Sequence, residues 1–596
     1  MEEKAQPSAR STLPIILIAA LLQGWGLYGL HHALDLRVWP ATNFAWLIAL
    51  YAAVVIAPLT VELLVKQARY RAFWLILLAV TALFFYFGWH QGATHPGLEG
   101  RSDLVGENFE FAFPAGVLWL LMLPFIQGRL VTGSWRVPYA TLFAEAWRNK
   151  LVLAEAGLFT GLFWLLLELW QMLFHMLSID FFRDLFNEPL FVYPVTSITF
   201  GIALHLIGSI DRLTSVVLEQ LLNVLKWLAV VAGTLLALFT VALAVKLPGL
   251  VLTGQHAIGA TWLLWLVAVI VLLLNAAFRD GAGLRPYPAL IGNLLRFVTP
   301  LTVVVSLTAC YALIVRTQHY GVTADRVWAF VVAGAALIYS VGYSFAAFRR
   351  GPWMSRIASV NVLVALALMV TIAAALTPAI SPARLSANSQ FARVLKTPTL
   401  NAEERKGWNS PYHYLRFNSG SYGLNRLRAL ATLQNHPEAA RIRQLAAAAI
   451  AQQQRWMPTE VNTPEELRDI LAKIPIYPVG RILDPKLVDA LVAQMSMRGS
   501  EFAGPPCSPD NSAGLFVDLN DDNVEEFVLL RLADSPVFEY HNGIWVRVGS
   551  LGHERGYANK WPDLRDRLEH GDFSTTTPEW KLLILGGYSY RVEPTR

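Results

Sequence analysis

Apolar stretches of about 20 residues recur along the chain as far as Thr377 and then stop. A helix of that length crosses the roughly 30 Å hydrocarbon core of a bilayer at about 1.5 Å per residue. The stretches fall near 13–34, 42–65, 72–91, 111–131, 151–178, 190–208, 222–245, 257–278, 295–315, 327–348 and 357–377, which predicts eleven transmembrane helices. Beyond Pro382 the pattern changes to short amphipathic and alternating runs broken by turn residues, as in a soluble α+β domain. The expected fold is an α-helical polytopic membrane bundle followed by a soluble α+β domain. Its parts are an N-terminal tail (1–12), a transmembrane domain (13–377), a linker (378–402), a helical region (403–500) and a small α+β region (501–596).

Composition sharpens this partition. Of the 596 residues 55% are hydrophobic and only 15% charged, against about 25% charged in soluble chains. The first apolar span runs through Leu13–Leu34 without a small-residue cleavage site, so it reads as a retained helix and not a removed signal peptide. The net charge of +5 sits in short clusters between spans and not in one patch, which speaks against a nucleic-acid partner and for a lipid bilayer. With the N-terminus taken as cytoplasmic, the inner segments carry seventeen Lys and Arg, while the outer ones carry six: Arg37, Arg101, Arg183, Lys246, Arg316 and Arg326. Two outer loops are also acidic, with Glu99, Asp103, Glu107 and Glu110 in one and Asp180, Asp184 and Glu188 in the other. This bias predicts a cytoplasmic N-terminus in an inner membrane and, after an odd number of spans, a periplasmic C-terminal domain. Cys310 lies mid-span and Cys507 in the soluble part, so no disulfide between them is expected.

Polar residues inside spans are the first candidates for function. Glu62 precedes Lys66 by four residues, a spacing that predicts a local ion pair with Lys66 snorkelling. Glu168, Gln171 and His175 share one face of the fifth span, which suggests a cavity lining or an interhelical hydrogen-bond network. In the sixth span Ser197, Gly201, His205 and Ser209 form a stripe of mostly small residues, expected to be a packing face. Of eight histidines before residue 380, seven (His31, His32, His90, His95, His175, His256 and His319) map to outer ends or loops. Imidazoles beside carboxylates can bind a divalent metal or relay protons, although their spacing matches no metal motif.

In the C-terminal part His436-Pro437 splits a helical region, and two further helices are expected after Thr463 and after Asp484. Between apolar runs, Asp518, Asn520, Asp522 and Glu526 stand at positions 1, 3, 5 and 9 of a loop. Oxygen donors at this spacing, with a backbone carbonyl near Val524, suit Ca²⁺ as a structural cofactor; the alternative is a tight Asn/Asp turn. Asn542-Gly543 predicts a hairpin between Val537–Tyr540 and Ile544–Val548, and Gly586-Gly587 a second one. No Ser/His/Asp or Cys/His order with a known local signature appears, nor a Gly-rich phosphate loop before a helix.

Several segments together resemble the bacterial membrane-protein family catalogued as domain of unknown function 4153. They are Arg316 to Arg326, with Tyr320, Gly321, Thr323 and Arg326 as its most specific part, then Arg285-Pro-Tyr-Pro288, Tyr414-Leu-Arg-Phe417 with Gly420–Gly423, and the Asp518–Glu526 loop. The resemblance covers most of the chain and implies a class but no activity. Gly321 suits a turn and Thr323 a helix N-cap, and Arg316 and Arg326 suit anionic head groups or an acidic substrate. The leading expectation is a non-enzymatic envelope protein presenting a periplasmic domain to a protein partner or ligand. Alternatives are a transporter or lipid-handling protein, and a membrane enzyme acting on a lipid-linked substrate at the outer face.

Overall fold

Runs of Leu, Ala, Val and Phe propagate as helix, and within a packed bundle such helices tolerate single Gly and Pro residues. A computed structural model of the chain describes residues 9–94, 101–209, 211–253, 259–279, 287–348, 354, 356–397, 410–452, 455, 464–496, 511–531, 535–551, 561–575, 583–585 and 588–590. The apolar part forms α1 (Ala9–Leu36), α2 (Phe44–Leu63), α3 (Arg71–Thr94), α4 (Arg101–Thr132), α5 (Tyr139–His175), α6 (Phe181–Asn187), α7 (Pro189–Ser209), α8 (Asp211–Thr253), α9 (Ala260–Phe278), α10 (Ala289–Val298), α11 (Leu301–Tyr320), α12 (Ala324–Phe348) and α13 (Ile357–Ala375). With α10 and α11 taken as one segment, eleven described helices are long and apolar enough to cross a membrane, the number expected. The chain is therefore a multi-pass membrane protein.

Three helices run well beyond their expected spans, α4 with 32 residues among them. α5 has 37 residues and α8 has 43, or about 55 and 65 Å at 1.5 Å per residue, well beyond a bilayer core. Hydropathy registers only the apolar portion, whereas the helix continues through amphipathic ends such as Tyr139–Lys150. Pro58, Pro114, Pro124 and Pro194 lie inside helices, while Pro300 marks the break between α10 and α11.

The chain divides into two compact units, Met1–Ala392 with Asn418–Gly423 and Arg393–Phe417 with Leu424–Arg596. In the first unit one apolar core joins α1 to α4 with the end of α13, through Phe73, Phe84, Phe87, Leu118, Leu123 and Ile372. A second joins α8, α9, α11, α12 and the start of α13 around Val267, Val305, Tyr343 and Ile357. Small residues permit close contact: a Cβ at Gly24 of α1 would lie 2.5 Å from Pro194 Cα on α7, and one at Gly201 would lie 3.0 Å from Ala20 Cβ. Gly201, the second residue of the stripe, thus packs on α1.

A buried polar lock crosses the second core. Tyr343 Oη donates to Asn361 Oδ1 at 2.6 Å, Asn361 Nδ2 donates to Tyr139 Oη at 2.7 Å and also to Asn275 Oδ1, and Asn275 Nδ2 donates to Val271 O at 3.1 Å. One Asn side chain therefore ties α5, α9, α12 and α13 together. Gln127 and Asn149 make a reciprocal amide pair between α4 and α5, at 3.2 and 2.8 Å.

The stretch expected as linker, 378–402, contains a helix, α14 (Pro382–Lys396), begun by a proline at its first turn. Its polar composition hid it from a hydropathy reading. The second unit comprises α15 (Pro411–Phe417), α16 (Gly420–Ala431, whose first turn belongs to the first unit), α17 (Ala439–Ala451), α18 (Pro464–Leu471), α19 (Pro485–Ser496) and α20 (Trp561–Glu569). They accompany a five-stranded sheet ordered β1 (Ile476–Tyr477), β2 (Ser512–Val517), β3 (Glu526–Arg531), β4 (Ser535–His541) and β5 (Ile544–Leu551). β1 pairs parallel with β2 and the rest are antiparallel. One face packs Phe516, Phe527, Leu529 and Phe538 under α18 and α19, and the other packs Leu515, Val528 and Val537 with Tyr477 and Leu568. Asn542 and Gly543 both take positive φ, 51° and 85°, the two-residue turn expected between β4 and β5. The Gly586-Gly587 turn lies outside the described residues, but β6 (Leu583–Leu585) and β7 (Tyr588–Tyr590) pair antiparallel around it.

Asn361→Ala strips three helices of a shared partner, and intramembrane hydrogen bonds are worth about 0.6 kcal/mol each, up to about 1.7. A loss of about 2 kcal/mol is expected, read as a lower thermal midpoint of the full chain in detergent; an unchanged midpoint would show that the lock is not structural.

Candidate functional site

Among the described residues the polar stripe on α5 lies at the outer surface of its unit. Glu168 and His175 are exposed on the surface of the unit and Gln171 is half-buried. Gln171 Nε2 donates to Glu168 Oε1 at 2.7 Å, and His175 Nδ1 lies 2.6 Å from Asp180 Oδ1. Nearby rings, Phe174 with Phe182 at 4.6 Å and Phe186 with Phe191 at 5.5 Å, run from α5 through α6 to α7.

The histidines disperse into separate contacts. His31 lies 3.4 Å from Asp35 on its own helix and 3.1 Å from Tyr193 Oη on α7. His32 stacks on Tyr28, His90 Nδ1 meets Leu376 O at 3.0 Å, and His319 meets Val315 O at 2.9 Å. His95, His256 and Glu99 lie outside the described residues, as do the side chains of Arg101, Asp103, Glu107 and Glu110. Among the described residues no group of three or more His, Cys, Asp or Glu side chains is placed to hold a metal ion.

The Tyr320–Arg326 turn has a definite partner in α14. Val322 N donates to Ser389 Oγ at 2.8 Å, and Gln390 Nε2 donates to the Tyr320 and Val322 carbonyls, each at 3.1 Å. Gly321 sits at φ 72° and ψ 177°, a region essentially reserved for Gly, and a Cβ there would lie 2.8 Å from Gln390 Nε2. Arg326 donates to Gly321 O and lies over the Tyr320 ring, 5.7 Å from its centroid. Thr323 stands just before α12, where its Oγ1 accepts from Arg326 N at 3.4 Å. Arg316 is exposed one turn earlier on α11. The motif is thus a socket for α14, a role no local reading could find because its second half lies 67 to 70 residues away.

The Tyr414–Phe417 segment likewise closes a helix end. Arg416 Nε donates to Gln452 O at 3.2 Å and His413 Nε2 lies 3.1 Å from Arg455 O, both just beyond α17. The His413 side chain is buried, and burial pulls its imidazole below the ordinary value. Of the Arg285–Pro288 segment, residues 285 and 286 lie outside the described residues, and Tyr287 Oη donates to Lys226 O at 2.6 Å.

Asp518, Asn520, Asp522 and Glu526 occupy one loop between β2 and β3. Asp518 accepts from the backbone N–H groups of Asn520 (3.3 Å), Asp521 (2.8 Å) and Asn523 (2.9 Å). Asp522 accepts from Val524 N at 2.7 Å, and Glu526 Oε2 from Leu519 N at 2.7 Å. Asn523 takes φ 63° where Gly is usual, a conformation Asn tolerates. The side chains are turned to the loop's own backbone, as in an Asn/Asp turn; Glu526 Oε1, buried beneath it, has no hydrogen-bond partner.

One expected contact is absent. Glu62 does not pair with Lys66: it is buried, and neither carboxyl oxygen has a hydrogen-bond partner. A helical i,i+4 spacing permits a pair but does not choose it when packing against neighbouring helices directs the side chain inward.

Fold and contacts together define a multi-pass membrane protein carrying a C-terminal α+β unit. Comparison with family models, curated proteins and solved structures finds no match to the chain.

Gly321→Ala is expected to cost about 1–3 kcal/mol through backbone strain and displacement of Gln390, and to expose α14 to limited proteolysis. Unchanged proteolysis of 382–396 would argue against the socket. Because His413 is held neutral when folded but binds a proton readily when unfolded, its contribution is present above the ordinary imidazole value of about 6.5 and declines as pH falls through it. The thermal midpoint of the full chain should drop across that window, and His413→Gln should lessen the drop.

Proposed function

We propose that this chain is a non-enzymatic inner-membrane protein of the cell envelope whose C-terminal unit binds a protein partner or ligand on the periplasmic face. The observation that carries this reading is that the unit closes its own core on both faces of its sheet, while β5, an edge of that sheet, keeps Ile544, Val546 and Val548 exposed on one side. An edge that no strand pairs among the described residues, with apolar side chains along it, is a template for strand addition or side-chain docking. The charge asymmetry of the loops and the odd number of spans support the outer placement. The segments that resemble domain of unknown function 4153, Arg316 to Arg326 foremost, are the ground for proposing membership in that family.

Calcium is the cofactor this reading includes. Asp518, Asn520, Asp522 and Glu526 offer oxygen donors at the required spacing, and the buried Glu526 Oε1 is an acceptor still in want of a partner. Bound there, a cation would supply positive charge that clips the β2–β3 loop.

Protease added outside intact spheroplasts should digest the C-terminal unit, and protection would place it on the other side and overturn the topology. A photo-crosslinking residue at Val546 should yield a protein adduct in cells; no adduct there would count against partner binding at β5. Calcium at tenfold its dissociation constant should stabilise the full chain by about 1.4 kcal/mol, an effect lost in Asp518→Ala. No shift in the thermal midpoint at millimolar calcium would remove the ion from the reading.

A further inference from the structure

Glu62 sits in the last turn of α2, 3% exposed, with both carboxyl oxygens lacking a hydrogen-bond partner. α1 and α7 close around it: a Cβ added at Gly201 would stand 3.4 Å from Glu62 Oε1, 3.0 Å from Ala20 Cβ and 3.3 Å from Ile16 Cγ2. Nearby polar groups are engaged elsewhere. Thr60 Oγ1 donates to Ile56 O at 2.6 Å and accepts from Trp119 Nε1 of α4 at 2.9 Å. The titratable side chains within one turn on the packed elements are Lys66, just beyond the end of α2, the half-buried His205 beyond Gly201 on α7, and Lys150 and Glu155 on α5, whose Leu153 packs with Leu63; α1 contributes Ile16 and Ala20.

A carboxylate enclosed without donors or a counter-charge is so unfavourable that the group takes up a proton instead. We propose that Glu62 is a proton-binding site of the membrane bundle, which keeps its proton while α1, α2 and α7 are packed and gives it to water when α7 parts from α2. Gly201 lets α1 close on α7 beside the carboxyl, since a Cβ there would press on Ala20 at 3.0 Å and Ile16 at 3.3 Å. Proton occupancy and packing of these helices then favour each other, as linked equilibria must. The site is independent of the C-terminal unit and of calcium.

The test uses the full chain in detergent at neutral pH. Infrared spectra of wild type and Glu62→Gln are expected to differ by the carbonyl stretch of a protonated carboxyl free of hydrogen bonds, present only in wild type. Dicyclohexylcarbodiimide, which enters apolar regions and modifies protonated carboxyls, is expected to label the peptide containing Glu62, as read by mass spectrometry. Spectra that differ instead in carboxylate bands would overturn the proposal. Should Glu62→Gln fail to fold, the labelling of wild type decides alone, and an unmodified Glu62 peptide overturns it.

Discussion

Within a bilayer the only partner for a polar group is the protein itself, and that constraint orders the first unit more than hydrophobicity does. Lipid tails are as apolar as leucine, so apolar burial places a helix in the membrane without saying which helix it should touch. Specific contacts come from the few polar groups and the few small ones. Asn361 illustrates the first kind, since its amide finds partners on α5, α9 and α12 at once and so fixes their mutual positions. Gly24 against Pro194 illustrates the second, because only a residue without a side chain allows that approach.

The second unit answers to a different constraint. In water its elements are held by burial, and the sheet achieves this by covering both faces with helices. Its polar loops can then bond to themselves, as the Asp518–Glu526 loop does, without loss of the core. Between these regimes lies α14, polar in sequence, whose first three turns belong to the bundle and whose end belongs to the second unit. The socket made by Tyr320, Gly321 and Val322 fastens it through Ser389 and Gln390, where the membrane part ends in sequence.

Much of this was legible in the sequence wherever the governing signal is local. Eleven spans follow from length and hydropathy, and the Asn542-Gly543 hairpin follows from two adjacent residues able to hold positive φ. Asp484 caps α19 as its position suggested, accepting from Lys486 N at 3.0 Å, and it accepts from Trp545 Nε1 at 3.2 Å, a partner no local pattern could reveal. What escaped the reading depends on distant partners. α14 shows no hydropathy signal, the Asn361 network joins residues up to 222 positions apart, and β1 has only two residues and exists because β2 lies beside it. The candidate site was legible as a set of residues but not as an arrangement: the Glu168, Gln171 and His175 stripe shares a helix face as the spacing required, yet that face is turned outward.

Two glutamates in the spans show why residue type and depth do not determine chemistry. Glu168 lies on the outward face of α5 and accepts a hydrogen bond from Gln171, so its carboxyl has a donor. Glu62 has none, although a lysine lies one turn away in sequence. The difference is set by the neighbouring helices, because α7 offers Gly201 and α1 offers Ala20 at the point where a donor would have to stand. A partner in sequence is useful to a carboxyl only if the path to it is not already filled by packing. Where it is filled, the carboxyl must carry its own proton, and the contact that excludes the counter-charge also gives that proton a structural role.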